Sequence, residues 1–321
     1  MPAFDYPLEE LKTYQGQNPR PGDFDAYWDK ALAEMHAVDA APERTAADFS
    51  SPVVDCYDYR FTGVGGARVY AKLLIPKSIP NGGCPASVNF HGYTGSSGQW
   101  TGLLALASSG FVVAAMDCRG QAGLSEEAAT ATLSTHNGHI IRGLRDGPEK
   151  LNFRSIFLDT AQLAGLVMDM PEVDASRVAV QGGSQGGALT LACAALEPRI
   201  AKAAPCFPFL SDYYRVWQMD LAERAYEEIR TFFRQIDPTH QREHEIFETL
   251  GYIDVQYLAP RIKAQTHMGI TLMDQVCPPS TQFAAYNKIT APKDATIYYD
   301  HGHEALPDWD DRVFKFLSEW L

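Results

Sequence analysis

Short apolar runs alternating with stretches of helical spacing give this chain the signature of an α/β protein with a mostly parallel, doubly wound sheet. The runs are short enough for buried strands, the segments between them repeat apolar residues at helical intervals, and glycines stand where a strand must turn into a helix. Residues 1–50, rich in Pro and Asp, contain helical pieces, the clearest over 24–37, and are expected to form an N-terminal extension packed on the sheet edge. In 67–75 apolar Val69, Ala71, Leu73 and Ile75 alternate behind the glycines of 63–66, so the sheet should begin antiparallel. Buried parallel strands are expected over 86–90, 111–116, 177–181, 203–207, 269–273 and 295–299. Helices are expected over 155–170, with Ile156, Leu163, Leu166, Val167 and Met170 inward, over 184–196 and over 279–288. Residues 212–262 carry charged helices, 221–234 and 242–250, between two strands; a cap over a site fits their length and composition better than a crossover does. One domain over 1–321, with the extension and the inserted cap, accommodates the whole pattern.

The 321 residues carry 27 Lys and Arg against 40 Asp and Glu, a formal net charge of -13. That acidity favours solubility and opposes polyanionic partners, so neither nucleic acid nor an anionic membrane surface is expected. With 45% hydrophobic residues the chain can bury a large core, which excludes disordered, collagen-like and coiled-coil classes. Its longest apolar stretch, 103–116, is broken by Ser108, Ser109 and Gly110 and falls short of the roughly 20 residues a membrane span needs. Cys56, Cys84, Cys118, Cys193, Cys206 and Cys277 are scattered singly, without a CxxC pair, and are expected to be reduced core thiols. Together with an N-terminus that shows no basic region followed by an apolar run, they point to a cytoplasmic address.

The strongest chemical signal is Gly182-Gly183-Ser184-Gln185-Gly186, a G-x-S-x-G pattern between a predicted strand and a predicted helix. A nucleophile elbow has this form: the serine sits in a strained turn, and glycines two before and two after avoid clashes with neighbouring backbone. A serine hydroxyl is too weakly acidic to ionise unaided, so it needs a histidine base and a carboxylate to orient that base. The best acid is Asp274, at the C-terminal end of the strand 269–273, with Asp254 and Asp300 as rivals; capping of the helix near Pro279 is the alternative role for Asp274. After the last strand stands Asp300-His301-Gly302-His303-Glu304, in which His303, on the looser side of Gly302, is the expected base and His301 the competitor. The pair lacks a third ligand at metal-binding spacing, so no metal and no cofactor are expected. His136 and His139 read as loop or core histidines. The oxyanion donors are expected from the N–H of Gln185 and, in the loop His91-Gly92-Tyr93-Thr94-Gly95, from the N–H of Tyr93.

Arg119-Gly120-Gln121, the elbow, and His303-Glu304, in this order, resemble the three signatures of the acetyl xylan esterase and cephalosporin C deacetylase family, carbohydrate esterase family seven of the α/β-hydrolase superfamily. The Tyr93 loop, Asp274 before Cys277-Pro278-Pro279 and the charged helical insertion also fit, so the likeness covers most of the chain. It implies an α/β-hydrolase fold and a serine esterase that removes acetyl groups from acetylated xylo-oligosaccharides and the 3′-acetyl of cephalosporins. It further implies Ser184, Asp274 and His303 as the triad, and a hexameric homo-oligomer. Arg119 is expected to pair with a carboxylate and, with Gln121, to support the loops around the elbow; Glu304 is expected to position the His303 loop. Bulky Tyr93, Pro208 and Phe209 near the expected pocket favour small acyl groups. A broader short-chain carboxylesterase or an α/β-hydrolase peptidase is the alternative function.

Overall fold

The computed structural model describes residues 4–132, 139–222 and 224–321. In chain order the elements are α1 (Leu8–Leu11), α2 (Phe24–His36), β1 (Glu43–Ala46), β2 (Val54–Thr62), β3 (Arg68–Pro76), β4 (Cys84–Phe90), α3 (Trp100–Ser108) and β5 (Val112–Met116). Then come α4 (Asn152–Met168), β6 (Val173–Gly183), α5 (Gln185–Leu196), β7 (Lys202–Cys206), α6 (Tyr213–Gln218), α7 (Glu227–Ile236), α8 (Glu243–Gly251) and α9 (Val255–Leu258). The chain closes with β8 (Gln265–Thr271), α10 (Pro279–Lys288), β9 (Lys293–Tyr298) and α11 (Trp309–Ser318).

The strands form one nine-stranded sheet in the order β1-β2-β3-β5-β4-β6-β7-β8-β9. The β1/β2, β2/β3 and β3/β5 pairings are antiparallel, and every pairing from β5/β4 to β8/β9 is parallel. The reversal between β2 and β3 uses Gly65 at φ 74 and Gly66 at φ 84, a left-handed backbone open to glycine. Helices cover both faces, as parallel strands buried on two sides require. On one face α4 and α5 pack over Val88, Val178 and Val180 in the main core. On the other, α11 turns Trp309, Val313 and Leu317, spaced by four, onto Phe111 and Val113.

Several expectations shift by a few residues or move to a different neighbour. β8 begins at Gln265 rather than 269 and ends at Thr271, because its polar start is paired, Gln265 with Lys202 and Thr266 with Lys293, and Thr266 is buried. Within the N-terminal 50 residues β1 forms one edge of the sheet, and Tyr6, Leu8 and Leu11 pack at the other end against Met268 and Ile270 of β8 and Ala295 and Ile297 of β9. The apolar stripe of α2 instead needs an apolar surface, and Trp28 stacks on Phe157 of α4 at 5.9 Å while its Nε1 donates to the Tyr252 carbonyl, 2.9 Å away, just after α8. All six cysteines are unpaired and buried. Among the described residues no helix is long and apolar enough to cross a membrane.

The N-terminal segment is fastened to the β7–β8 connection through Asp212, which adopts a left-handed backbone at φ 50. Its carboxylate accepts the N–H groups of Gln17 and Asn18 at 2.9 and 2.8 Å and the Tyr14 hydroxyl at 2.7 Å. Asp254, fully buried beneath it, accepts the Asp212 N–H; burial first, then the Asp212 charge, raises the Asp254 carboxyl to about 7. Replacing Asp212 by Ala leaves these donors unsatisfied and should cost about 2–4 kcal/mol. Urea unfolding of the Asp212→Ala variant checks this; an unchanged midpoint would show that the anchor contributes no stability.

Candidate active site

β6 delivers the elbow. Ser184 stands between β6 and α5 at φ 58, ψ -119, a conformation rarely adopted by residues with a side chain. The flanking glycines are dictated by the end of β4: a Cβ on Gly182 would lie 2.5 Å from the Phe90 carbonyl oxygen, and one on Gly186 would lie 2.1 Å from it. Main-chain bonds fix the turn to the segment after β7, with the Ser184 N–H donating to the Cys206 carbonyl and the Phe209 N–H to the Ser184 carbonyl, both at 3.0 Å. The side chain of Ser184 is thereby lifted above the C-terminal ends of the strands, where open α/β sheets gather ligand and reactive groups.

Asp274 and His303 come together there. Asp274 is fully buried, and its Oδ1 accepts the N–H groups of Val276 and Cys277, each at 2.8 Å. These bonds close the turn before α10 and do not cap the helix itself. Its Oδ2 lies 2.8 Å from His303 Nδ1 and accepts the Thr271 hydroxyl at 3.3 Å. An acid so engaged keeps the imidazole proton on Nδ1 and leaves the Nε2 lone pair free to take a proton. The His303 ring rests on Phe207, 4.8 Å between centroids.

No side-chain hydrogen bond joins Ser184 to His303 among the described residues, and Ser184 acts on the neighbouring Cys277 thiol by lowering its pKa against the effect of burial. Burial, reinforced by the Asp274 charge, pushes that thiol well above its ordinary value, so Cys277 stays protonated. Donor atoms of Asp274, Cys277 and His303 all lie within 4.8 Å of one another. Because the Asp274 carboxylate is already committed to two backbone amides, a hydroxyl and the imidazole, this set fits a proton relay better than a metal cradle. Serine–base contacts are often loose without substrate and tighten when it binds.

The two expected oxyanion donors, Gln185 and Tyr93, belong to separate elements. Gln185 opens α5, where the first amides have no partner within the helix. The backbone N–H of Tyr93 has no protein acceptor among the described residues. Its loop is braced by His91, whose Nδ1 lies 2.7 Å from the Gly92 carbonyl and whose Nε2 accepts the Cys118 N–H at 3.0 Å, and which burial keeps neutral. Gln121 joins the two donor elements: its Nε2 donates to Gln185 Oε1 at 2.7 Å, and its Oε1 accepts the Thr94 N–H at 2.8 Å.

Arg119 is fully buried and forks onto Asp159 of α4, Nε to Oδ2 at 2.7 Å and Nη2 to Oδ1 at 2.6 Å, with Nη1 donating to the Val64 carbonyl at 3.0 Å. Glu304 accepts the Gly302 N–H at 3.0 Å and so braces the His303 loop. His301 enters only through its main chain, its carbonyl accepting the Met273 N–H, while its ring packs on Tyr298. Asp254 lies in the Asp212 network, away from the elbow. His139 is a buried core histidine 2.8 Å from the Asn152 amide; His136 lies outside the described residues. Phe209 packs against Tyr93 at 5.5 Å. Besides Cys277, two more of the expected core thiols border the elbow: Cys118 accepts from the Gln185 side-chain amide at 3.5 Å, and the Cys206 carbonyl holds the Ser184 N–H. Sequence reasoning missed Glu228, one acid among many in a charged helix, whose buried phase on α7 was the only available signal.

The acetyl xylan esterase family model matches residues 1–320. An acetyl xylan esterase from Thermoanaerobacterium sp. JW/SL YS485 is 54% identical, with a TM-score of 0.97 and 99% of each chain covered. An acetyl xylan esterase from Paenibacillus sp. R4 is 37% identical, with a TM-score of 0.93 over 98% of this chain and 100% of that one. An acetyl esterase of Xylanibacter ruminicola is 27% identical over 297 residues; the chain spans 64% of the length of that relative. With the family model matching over nearly its full length and a sheet shared with these esterases, the chain belongs to the acetyl xylan esterase family of carboxylic ester hydrolases, with an α/β-hydrolase fold.

Proposed function

We propose that the protein is a serine esterase that removes acetyl groups from acetylated xylo-oligosaccharides and accepts the 3′-acetyl of cephalosporins, with Ser184 as nucleophile, His303 as base and Asp274 as the orienting acid. The observation that carries this reading is the strained Ser184 elbow set beside the Asp274–His303 pair. On substrate binding the Ser184 hydroxyl gives its proton to His303 Nε2 as its oxygen attacks the acetyl carbonyl. The N–H groups of Tyr93 and Gln185 take the developing oxyanion, His303 returns the proton to the departing sugar oxygen, and the acetyl group is left on Ser184. Water, deprotonated by His303, then releases acetate and restores the serine.

Gln121 keeps the two oxyanion donors in register by bonding both elements, and Arg119 with Asp159 holds the loop that carries Gln121. The half-buried Tyr93, backed by the fully buried Phe209 at 5.5 Å, leaves room beside the elbow for a short acyl group only. The surface charge of -13 suits neutral sugar esters as substrates and acetate as a product that leaves. A cytoplasmic setting accords with six buried, unpaired thiols, and a hexameric assembly rests on the family likeness.

Ser184→Ala should lower kcat for p-nitrophenyl acetate by on the order of 10⁴-fold or more and abolish fluorophosphonate labelling; activity retained by the folded variant would remove Ser184 from its role. Asp274→Asn, which offers His303 a donor where it needs an acceptor, should cost on the order of 10⁴-fold in kcat. Its crystal structure should show Nδ1 of His303 without its proton, and wild-type turnover would exclude Asp274 as the orienting acid. Across p-nitrophenyl acetate, butyrate and octanoate, kcat/KM should fall steeply with chain length. Octanoate turned over as well as acetate would sink the small-acyl assignment. Acetate release from acetylated xylo-oligosaccharides and from cephalosporin C tests the substrates directly.

A further inference from the structure

Glu228 is a carboxylate that the proposed mechanism does not use. It projects from α7, in the stretch joining β7 to β8, and is only 6% exposed. Its Oε1 accepts the Tyr93 hydroxyl at 2.7 Å and its Oε2 accepts the Ile141 N–H at 2.9 Å. The Tyr93 oxygen in turn accepts the His139 N–H at 2.8 Å, so one acid ties together α7, the loop after β4 and the 139–141 segment. Among the described residues no lysine or arginine pairs with it. A buried acid without a counter-charge is expensive, and folds keep such groups where they hold something in place.

What it holds is the oxyanion loop. On the sheet side that loop is fixed by Gln121, His91 and Asp117, through Thr94, Cys118 and Ser97 respectively. Among the described residues nothing on that side fixes residue 93 itself, whose side chain crosses to the inserted helices. There its ring is clasped between Phe209 at 5.5 Å and the edge of His139 at 6.0 Å, and its oxygen ends on Glu228. We propose that Glu228 is a positioning residue for the reaction: by anchoring the Tyr93 phenol it fixes the direction of the Tyr93 backbone N–H, so that the inserted helices, through one carboxylate, set half of the oxyanion hole. This rests on the esterase reading above and on Tyr93 as an oxyanion donor. Burial raises the Glu228 carboxyl to about 7, opposed by the N–H groups of 139–141 and the Tyr93 hydroxyl that favour its ionised form. Among the described residues the other titratable groups around the pair are the His139 imidazole, which burial and then the Arg142 charge lower to about 4, the Tyr213 phenol of α6 and Arg142.

The anchoring role separates from a merely structural one in steady-state kinetics. Glu228→Gln keeps the shape but replaces one accepting oxygen by a donor, and Tyr93→Phe removes the phenol oxygen alone. Each should lower kcat for p-nitrophenyl acetate roughly 10- to 100-fold with KM changed less than about threefold, because an oxyanion donor turned aside weakens the transition state more than the bound substrate. The double variant should lose no more than the worse single one, since both break the same bond. A folded Glu228→Gln with kcat within twofold of wild type, or single losses that multiply in the double variant, would overturn the proposal. If Glu228→Gln does not fold, Tyr93→Phe decides alone: a kcat loss of tenfold or more supports the anchor, and wild-type kcat refutes it. Fluorophosphonate titration of the wild-type protein separates the two layers. Failure to label Ser184 would refute the esterase reading itself, whereas full labelling with an unaffected Glu228→Gln kcat refutes only the anchor.

Discussion

The contact on which the site depends is the one between the Phe90 carbonyl and the elbow. At its end β4 approaches the elbow so closely that neither Gly182 nor Gly186 has room for a side chain. That closeness bends the chain sharply from β6 into α5 and leaves Ser184 in a conformation costing about 1–3 kcal/mol, sustained by its main-chain bonds to the segment after β7. Phe90 also directly precedes the His91–Gly95 loop. One close approach therefore places both the serine and the start of the loop carrying the second amide, and the Gln121 and Glu228 side chains refine the rest of that loop.

Around this centre the protein buries charge in two different ways. Arg119 and Asp159 satisfy each other through a bidentate pair, whose loss on one side would leave a stranded charge at a cost of about 3–5 kcal/mol. Gly63 must be a glycine beside them, since a Cβ there would lie 2.3 Å from Asp159 Oδ1. Among the described residues neither Glu228 nor Asp254 makes such an ion pair; burial raises both to about 7, and backbone N–H groups stabilise their ionised forms. The matched pair secures the loop below the elbow. The unmatched acids both lie where the β7–β8 connection meets the rest of the chain, at Tyr93 for Glu228 and at the Asp212 anchor for Asp254.

Much of this was legible in the sequence because local chemistry demanded it. The elbow needs its glycines wherever it occurs, and the helix Pro279–Lys288 has a proline at its first turn and an unambiguous length. Other features needed partners distant in sequence. The fully exposed β1 carries no hydrophobic pattern to reveal it, and its residues become a strand only by pairing with β2. α3 was obscured by an apolar run continuous with β5, and α11 by the charged residues between Trp309, Val313 and Leu317. β8 starts four residues before the expected strand because Gln265, Thr266, His267 and Met268 form no apolar run and become strand only by pairing with β7 and β9. At the site, Asp274 and His303 were visible from their places after strands, whereas Glu228 depended on the rotational phase of a helix whose exposed face is equally acidic.

The antiparallel end of the sheet has a consequence for how copies of this chain can meet. Its outermost strand, β1, is four residues long, exposed throughout, and displays Glu43 and Arg44. So short and charged a border offers little to an incoming strand, and continuing the sheet from one molecule into the next at this side is disfavoured. Any contact between copies at that end would have to be built from side-chain surfaces rather than from shared backbone ladders, and the sheet stays finite.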